Sequence, residues 1–129
     1  MLTEDELIAR ARAVSNPRRL TITAEAGTVA SALVTAAGNV YTGVNIDTAC
    51  SLGFCAEHSA IAAMITAGES EIKMIVAVNE HGDIYAPCGR CREFIWQVNE
   101  NNRHARVLHT GGRSPTVEDL LPSHWKEDR

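Results

Sequence analysis

The order of helix-like and strand-like segments predicts an α/β fold, a three-layer α-β-α sandwich in which helices cover a sheet. Three observations support this class. The segments follow the order α-β-β-α-β-α-β-α, one central helix is apolar on nearly every side, and a hairpin turn joins the first two strands. The 129 residues, 45% of them apolar, suffice for one modest core, so we expect residues 1–129 to form a single domain.

A capping motif and a turn define the first three elements. Thr3 and Glu6 have the spacing of a capping box, and apolar residues at helical spacing then predict a helix over 4–15, before the Asn16-Pro17 break. Runs rich in β-forming residues over 27–35 and 40–46 flank residues 36–39, whose Gly and Asn are typical of a hairpin turn. These two strands should therefore pair antiparallel.

The remaining elements alternate between helix and strand. An alanine-rich helix is expected over 55–67, and it must be covered on most sides because it is apolar almost all round. A buried strand over 72–78 and a turn over 79–83 follow. Pro87 opens a helix over 88–100, a further strand is expected over 106–110, and Thr116 with Asp119 predicts a short helix over 117–121.

Composition and charge narrow the function classes. The net charge of -4 and the isoelectric point near 5.7 argue against a general polyanion binder, so we expect no nucleic-acid partner. The acidic N-terminus lacks the basic and apolar regions of a signal peptide, and no apolar run is long enough to span a bilayer. We therefore expect a cytoplasmic protein with no membrane partner, in which four cysteines are metal ligands or catalytic thiols more readily than disulfides.

Three of the cysteines stand at the starts of two predicted helices. Cys55 opens the first of these helices, and Cys88 and Cys91 share one face of the next because they are three residues apart. The partial positive charge of a helix N-terminus lowers a thiol pKa and favours the thiolate that binds metal. Three protein ligands leave one position of a tetrahedral zinc ion open to water, which is the pattern of a catalytic zinc site.

Glu57 is the residue expected to move protons. Zinc brings the pKa of water from about 15.7 to about 7, which makes hydroxide available near neutral pH. Hydrolysis by such a hydroxide also needs protons delivered to the substrate and to the departing group, by a carboxyl group that does not bind the metal. Glu57 lies two residues after Cys55, on another side of the helix, so it can face the open position.

These motifs, Cys55-Ala56-Glu57 and Pro87-Cys88-Gly89-Arg90-Cys91, resemble the signature of the small cytidine deaminase family, including its blasticidin S branch. The resemblance covers about residues 29–122. It implies a five-stranded mixed sheet, one zinc ion per subunit held by Cys55, Cys88 and Cys91, and a homotetramer with shared active sites. It also implies a small nucleoside-like or nucleobase-like substrate, whose 4-amino group on a cytosine-type ring is hydrolysed to the keto form with release of ammonia.

Substrate contacts are expected at four positions. Asn45 and Asp47 match the Asn-x-Glu motif that holds the ribose in cytidine deaminases, except that the carboxylate is one methylene shorter. The backbone of Ala56 is expected to help orient the ring. Trp125 is expected either to cover the substrate as a lid or to anchor a core or interface.

Two further departures from the cytidine deaminase pattern, besides the shorter carboxylate of Asp47, leave the substrate open. Residues 23–27 contain no aromatic side chain, where cytidine deaminases resemble one another in a Pro-Tyr-Ser-x-Phe stretch whose Phe packs on the pyrimidine. His58 stands where they tend to have an Arg that bonds to the zinc thiolates, so His58, Arg90 or Arg92 is expected to temper the thiolate charge. Besides cytidine and deoxycytidine, blasticidin S, a free base or a base analogue therefore remains an alternative substrate.

Two other interpretations of the cysteines compete with a catalytic zinc site. Cys50 could complete a closed four-thiolate site in a non-enzymatic, zinc-stabilised interaction module, although by itself it is better explained as a small buried residue. A redox role for Cys88 and Cys91 would leave the Cys55-Ala56-Glu57 motif without a purpose. The other prominent aromatic residues are interpreted as packing residues: Tyr41, Tyr85, Phe94 and Trp96.

Overall fold

Residues 2–127 are described by the computed structural model of the protein, and within them four α-helices and six strands form the fold. The helices are α1 (Glu4–Val14), α2 (Ala56–Thr66), α3 (Gly89–Gln97) and α4 (Val117–Leu120). The strands are β1 (Arg18–Thr21), β2 (Ala24–Thr35), β3 (Val40–Thr48), β4 (Ile72–Asn79), β5 (Ile84–Tyr85) and β6 (Arg106–Val107). Among these residues, no helix has the length and apolar composition that spanning a lipid bilayer requires.

The long strand β2 lies at the centre of a mixed sheet. It pairs antiparallel with β3 along one edge and with β4 along the other, while β1 pairs with its first residues. β4 in turn pairs antiparallel with β5 and parallel with β6. The predicted hairpin is present, because Gly38 adopts φ +90 and donates its N–H to Thr35 O at 2.9 Å in the turn between β2 and β3.

Helices cover both faces of this sheet, so the three-layer α/β prediction is confirmed. On one face, Leu7 of α1 is fully buried in a cluster with Val34 of β2. On the other face, Ile61 of α2 and Ile95 of α3 pack in a second cluster with Leu33. Leu33 and Val34 point to opposite faces because side chains alternate along a strand.

A glycine on β3 allows α2 to approach the sheet closely. A Cβ at Gly43 would lie 2.4 Å from Ser59 Cβ and 2.5 Å from the backbone nitrogen of Ala60, so no larger residue fits without a shift. Ser59 Oγ donates a hydrogen bond to Val44 O at 2.7 Å in the same contact. This contact fixes the N-terminal half of α2, which carries Cys55 and Glu57, against the sheet.

A buried amide ties the end of α3 to the start of β4. Asn102 is fully buried, and its Oδ1 accepts the N–H of Ile72 at 2.7 Å. Its Nδ2 donates to Ser70 O at 3.0 Å and to Ile95 O at 2.9 Å. An unsatisfied buried polar group costs about 1–3 kcal/mol, so this one side chain stabilises three backbone groups at the base of the α3 layer.

The element boundaries differ from the sequence prediction in several places. The sheet has six strands instead of the five that the resemblance implies. The sequence pattern predicts four of them, and the other two, β1 and β5, are paired strands that it does not predict. All four residues of β1 are exposed, so it lacks the apolar alternation of a half-buried strand, and β5 is only two residues long. α3 ends at Gln97, short of residue 100, and the strand expected over 106–110 ends at Val107 because Thr110–Gly112 form a 3-10 turn.

Candidate active site

Two helix starts bring the cysteines together. Cys55 is the N-cap of α2 and Cys88 is the N-cap of α3, each with extended φ and ψ, so both stand one residue before the helix that they were expected to open. Neither side chain makes a capping hydrogen bond to its own helix. Cys91 follows in the first turn of α3 and is buried.

The three sulfur atoms form a compact cluster. Cys88 Sγ lies 3.7 Å from Cys55 Sγ and 3.5 Å from Cys91 Sγ, and Cys55 Sγ and Cys91 Sγ lie within 4.8 Å of one another. Sulfur ligands at about 2.3 Å from a tetrahedral zinc ion are separated from each other by about 3.8 Å. Both the donor chemistry and the spacing therefore fit zinc.

His58 lies beside the same sulfurs. Its Nδ1 is 3.5 Å from Cys91 Sγ, and its ring stacks on Phe94 with a centroid separation of 4.3 Å. The ligand atoms of Cys55, His58 and Cys91 all lie within 4.8 Å of one another, so this trio is also a possible metal site. Cys88 is not a member of that group although its sulfur is close to the other two sulfurs, so His58 lies on the side away from Cys88.

Glu57 is buried beside these sulfurs. Only 5% of its surface is exposed, and it lines the same cavity as Cys55 and Cys88. Burial raises the pKa of Glu57, which favours a carboxyl group that retains a proton nearer to neutral pH. Burial is the main cause that raises the pKa of Cys55 and of Cys91, and the negative charge of Glu57 raises both further.

The surroundings shift the pKa values of the thiols in opposite directions. Burial is the main cause that raises the pKa of Cys91. Burial also opposes ionisation of Cys88, but the nearby backbone N–H groups of Cys91 and Arg90 and the neighbouring thiols outweigh it, so the pKa of Cys88 is lowered. This lowering has the origin expected at a helix N-terminus. Burial and the charge of Arg90 lower the pKa of His58.

A cavity of about 530 Å³ opens over this cluster, within the usual size range of small-molecule sites. It brings together seven of the residues expected in the site: Asn45, Asp47, Cys55, Ala56, Glu57, Cys88 and Arg90. Residues far apart in the sequence therefore meet at one end of the sheet, where β3, α2 and α3 converge.

The side chain of Asn45 is fully engaged within the protein. Its Oδ1 accepts the N–H of Val29 at 2.9 Å, and its Nδ2 donates to Thr28 Oγ1 at 2.9 Å and to Asp47 Oδ2 at 3.1 Å. Both hydrogens of the amide are thus used, and Asn45 is 8% exposed. Asp47 is exposed in the cavity, so Asn45 orients a carboxylate that remains open to a substrate.

Arg92 and Trp125 lie outside the cavity lining. Arg92 Nε donates to Pro87 O at 3.0 Å and Arg92 Nη1 donates to Leu120 O at 3.2 Å, so it holds the turn before Cys88. Trp125 is 52% exposed, and its backbone N–H donates to Glu93 Oε1 at 2.8 Å. The role of Trp125 in binding substrate stays a prediction.

Two interpretations of single residues were wrong. Cys50 is exposed in a left-handed turn with φ 63, and is not the small buried residue that its chemistry suggested. Tyr85 is half-exposed and lines the cavity, although it was interpreted as a packing residue. Sequence analysis also did not single out Phe54, which lines the cavity and whose position directly before Cys55 was the available signal.

Comparison with known proteins identifies the family. Residues 3–105 match the family described as "Cytidine and deoxycytidylate deaminase zinc-binding region". The chain belongs to this deaminase family. It is 32% identical to a cytidine deaminase of Mycobacterium tuberculosis over 92 residues, which are 70% of this chain and 67% of that protein. It is 35% identical to a cytidine deaminase of Mycoplasma genitalium over 99 residues, 74% of this chain and 76% of that protein.

The fold agrees with the deaminase family. The crystal structure of cytidine deaminase from Mycobacterium leprae matches with a TM-score of 0.80 and 27% identity, covering 95% of this chain and 100% of that chain. As a member of the cytidine and deoxycytidylate deaminase family, the protein is a zinc-dependent hydrolase acting on C–N bonds. The prediction of a zinc-dependent deaminase is thus confirmed, while the roles of the individual cysteines and of Glu57 stay predictions.

Proposed function

We propose that the protein hydrolyses the 4-amino group of a cytosine-type nucleoside, cytidine or deoxycytidine, to the keto form and releases ammonia. The observation that carries this proposal is the buried Glu57 carboxyl group, which lies in a cavity of ligand size beside three clustered sulfurs. A non-enzymatic zinc module has no use for an acid in that place. A closed four-thiolate site is also disfavoured, because Cys50 is exposed in a left-handed turn and does not line the cavity that contains Cys55 and Cys88.

Cys55, Cys88 and Cys91 are the zinc ligands in this proposal, with one ion per subunit. The sulfur spacing and the lowered pKa of Cys88 support this set. His58 then acts as a hydrogen-bonding partner of Cys91 in the tautomer that carries a hydrogen on Nδ1, and its stacking on Phe94 holds the ring in place. When bound, zinc supplies an activated water, whose pKa falls from about 15.7 to about 7.

Glu57 moves the protons of the reaction. Its carboxylate accepts a proton from the attacking water and delivers it to the ring nitrogen of the substrate. It then accepts the remaining proton of the added hydroxyl group, which leaves the keto form, and delivers that proton to the departing amine. Its burial suits both steps, because a raised pKa brings the proton affinity of the carboxyl group closer to the operating pH. The backbone of Ala56 at the start of α2 lies in the same cavity and helps to orient the ring.

Asp47 is proposed to bind a sugar hydroxyl group. Its carboxylate is exposed in the cavity and oriented by Asn45, so it can accept a hydrogen bond from a ribose or deoxyribose. Asn45 itself has no amide hydrogen left to donate, which favours a second candidate function. In that function the substrate is a free base or base analogue, or blasticidin S, and Asn45 and Asp47 have a structural role only.

An ammonia-release screen separates these substrates. Cytidine and deoxycytidine should be turned over with a higher kcat/KM than cytosine, and Asp47→Ala should raise the KM for cytidine by about 10- to 150-fold, because a charged hydrogen bond contributes roughly 1.5–3 kcal/mol. Asp5→Ala on α1 is the matched control and should leave KM unchanged. Turnover of cytosine or blasticidin S alone, with no effect of Asp47→Ala, would contradict the nucleoside assignment.

We further propose a homotetramer in the cytoplasm. α2 is apolar almost all round, yet it exposes Ala62, Ala63 and Ile65, and other subunits would cover this face. A cytoplasmic location would keep the thiol ligands reduced. A molar mass of four chains in sedimentation equilibrium is the expected result, and a monomer at micromolar concentration would contradict it.

A further inference from the structure

The first residues of the long central strand β2 cannot supply an aromatic wall for the substrate. Residues 23–27 contain no aromatic residue, and Gly27 adopts φ +87, a conformation that side-chain-bearing residues rarely adopt. A Cβ at Gly27 would lie 2.1 Å from the carbonyl oxygen of Asn16. Any ring that packs against a heterocycle in this cavity must therefore come from elsewhere in the chain.

Two aromatic side chains line the cavity among the residues that the structure describes, Phe54 and Tyr85. They approach the cavity from opposite sides of strand β2. Phe54 is bridged to β3, and Tyr85 ends β5 beside β4, while β2 runs between β3 and β4. Phe54 is 39% exposed, which is unusual for a phenylalanine that serves only the core.

The backbone of Phe54 is fixed against β3. Its N–H donates to Ile46 O at 2.9 Å and its carbonyl accepts the N–H of Ile46 at 3.0 Å. The preceding Gly53 passes so close to β3 that a Cβ there would overlap the carbonyl oxygen of Ile46. A ring on a fixed backbone loses little freedom when a ligand stacks on it, whereas Tyr85 is 50% exposed on a two-residue edge strand.

Phe54 also lies beside the residues that are proposed to carry out the reaction. It directly precedes Cys55, and it shares the cavity with Glu57 and Asp47. A pyrimidine nucleoside with its amino-bearing carbon toward Glu57 and its sugar toward Asp47 would lie in the cavity that Phe54 borders. Aromatic rings prefer offset-stacked or edge-to-face packing on such a heterocycle.

We propose that Phe54 determines specificity for the cytosine-type ring, by packing its side chain against the heterocycle as the substrate sits beside Glu57. This inference rests on the proposed deaminase function and adds the residue that selects a flat aromatic substrate. Loss of one base–aromatic stacking contact weakens binding by about 5- to 150-fold.

Replacement of Phe54 by a non-aromatic residue of similar size tests the proposal. Phe54→Leu should raise the KM for cytidine by about 5- to 150-fold, with a smaller change in kcat. Phe54→Tyr keeps an aromatic ring and should therefore leave KM unchanged. In a Glu57→Gln background, equilibrium dialysis with cytidine should show the same loss of affinity, which measures the contact without turnover. Leu52→Ala, an exposed apolar neighbour that does not line the cavity, is the control and should leave KM and kcat unchanged.

The possible failures are distinguishable. If the unmodified protein releases no ammonia from any cytosine-type compound, the proposed function is wrong. If it does deaminate cytidine but Phe54→Leu binds cytidine as well as the unmodified protein, only the role of Phe54 is overturned. A rise in KM in Tyr85→Leu in place of Phe54→Leu would likewise overturn it, because the ring would then stack on the opposite wall.

Discussion

Glu57→Gln should reduce the kcat for cytidine by about 10²–10⁴-fold, the usual contribution of a general acid–base group. Glutamine has nearly the shape of glutamate but cannot accept or deliver the protons that the ring nitrogen and the amine require. Because Glu57 is proposed not to bind the metal, the variant should keep one zinc ion per chain. Ammonia release measures the first expectation, and elemental analysis of the purified variant measures the second.

A matched control for this variant is Glu80→Gln, which removes a carboxylate from the exposed turn after β4. Its kcat and zinc content should equal those of the unmodified protein. Two results would contradict the proposed role of Glu57: a kcat in Glu57→Gln within a few fold of normal, or loss of zinc from that variant.

Cys88→Ser should release the metal and abolish turnover. Loss of a residue that merely supports a metal ligand costs about 10–100-fold in affinity, so loss of a ligand should cost more than about 100-fold. Cys50→Ser is the matched control, since Cys50 is exposed and lies outside the sulfur cluster, and it should retain both zinc and activity. Zinc affinity is measured by competition with a chelator of known strength.

The same experiment separates the two overlapping ligand sets. His58→Phe removes the hydrogen bond to Cys91 but keeps the stacking on Phe94, so zinc affinity should fall by only about 10–100-fold. The opposite pattern, with zinc retained in Cys88→Ser and lost in His58→Phe, would assign the metal to Cys55, His58 and Cys91 and contradict the three-sulfur site.

Long periodic segments and paired motifs made most of the fold predictable from the sequence. The capping box at Thr3 and Glu6 marks α1, and it forms as expected. The apolar run over 72–78 is buried as β4. The Cys55 and Cys88 motifs also predicted where the site lies, because a cysteine at a helix start is recognisable before the tertiary contacts are known.

Features that depend on tertiary contacts were not visible in the sequence. β1 forms through pairing with the first residues of β2 while its own side chains stay exposed, so no apolar pattern marks it. The saturated hydrogen bonds of Asn45 and the approach of Phe54 to β3 likewise arise only when distant segments meet. Cys50 was misjudged because chemistry alone favours burial, whereas the loop places it in a left-handed turn.

A crystal structure of the zinc-loaded protein, with anomalous data at the zinc edge, tests the central claim most directly. We predict one zinc ion about 2.3 Å from the sulfurs of Cys55, Cys88 and Cys91, with a non-protein fourth ligand and the Glu57 carboxyl group facing it. Direct coordination by the imidazole of His58, or a Glu57 side chain turned out of the cavity, would contradict the account.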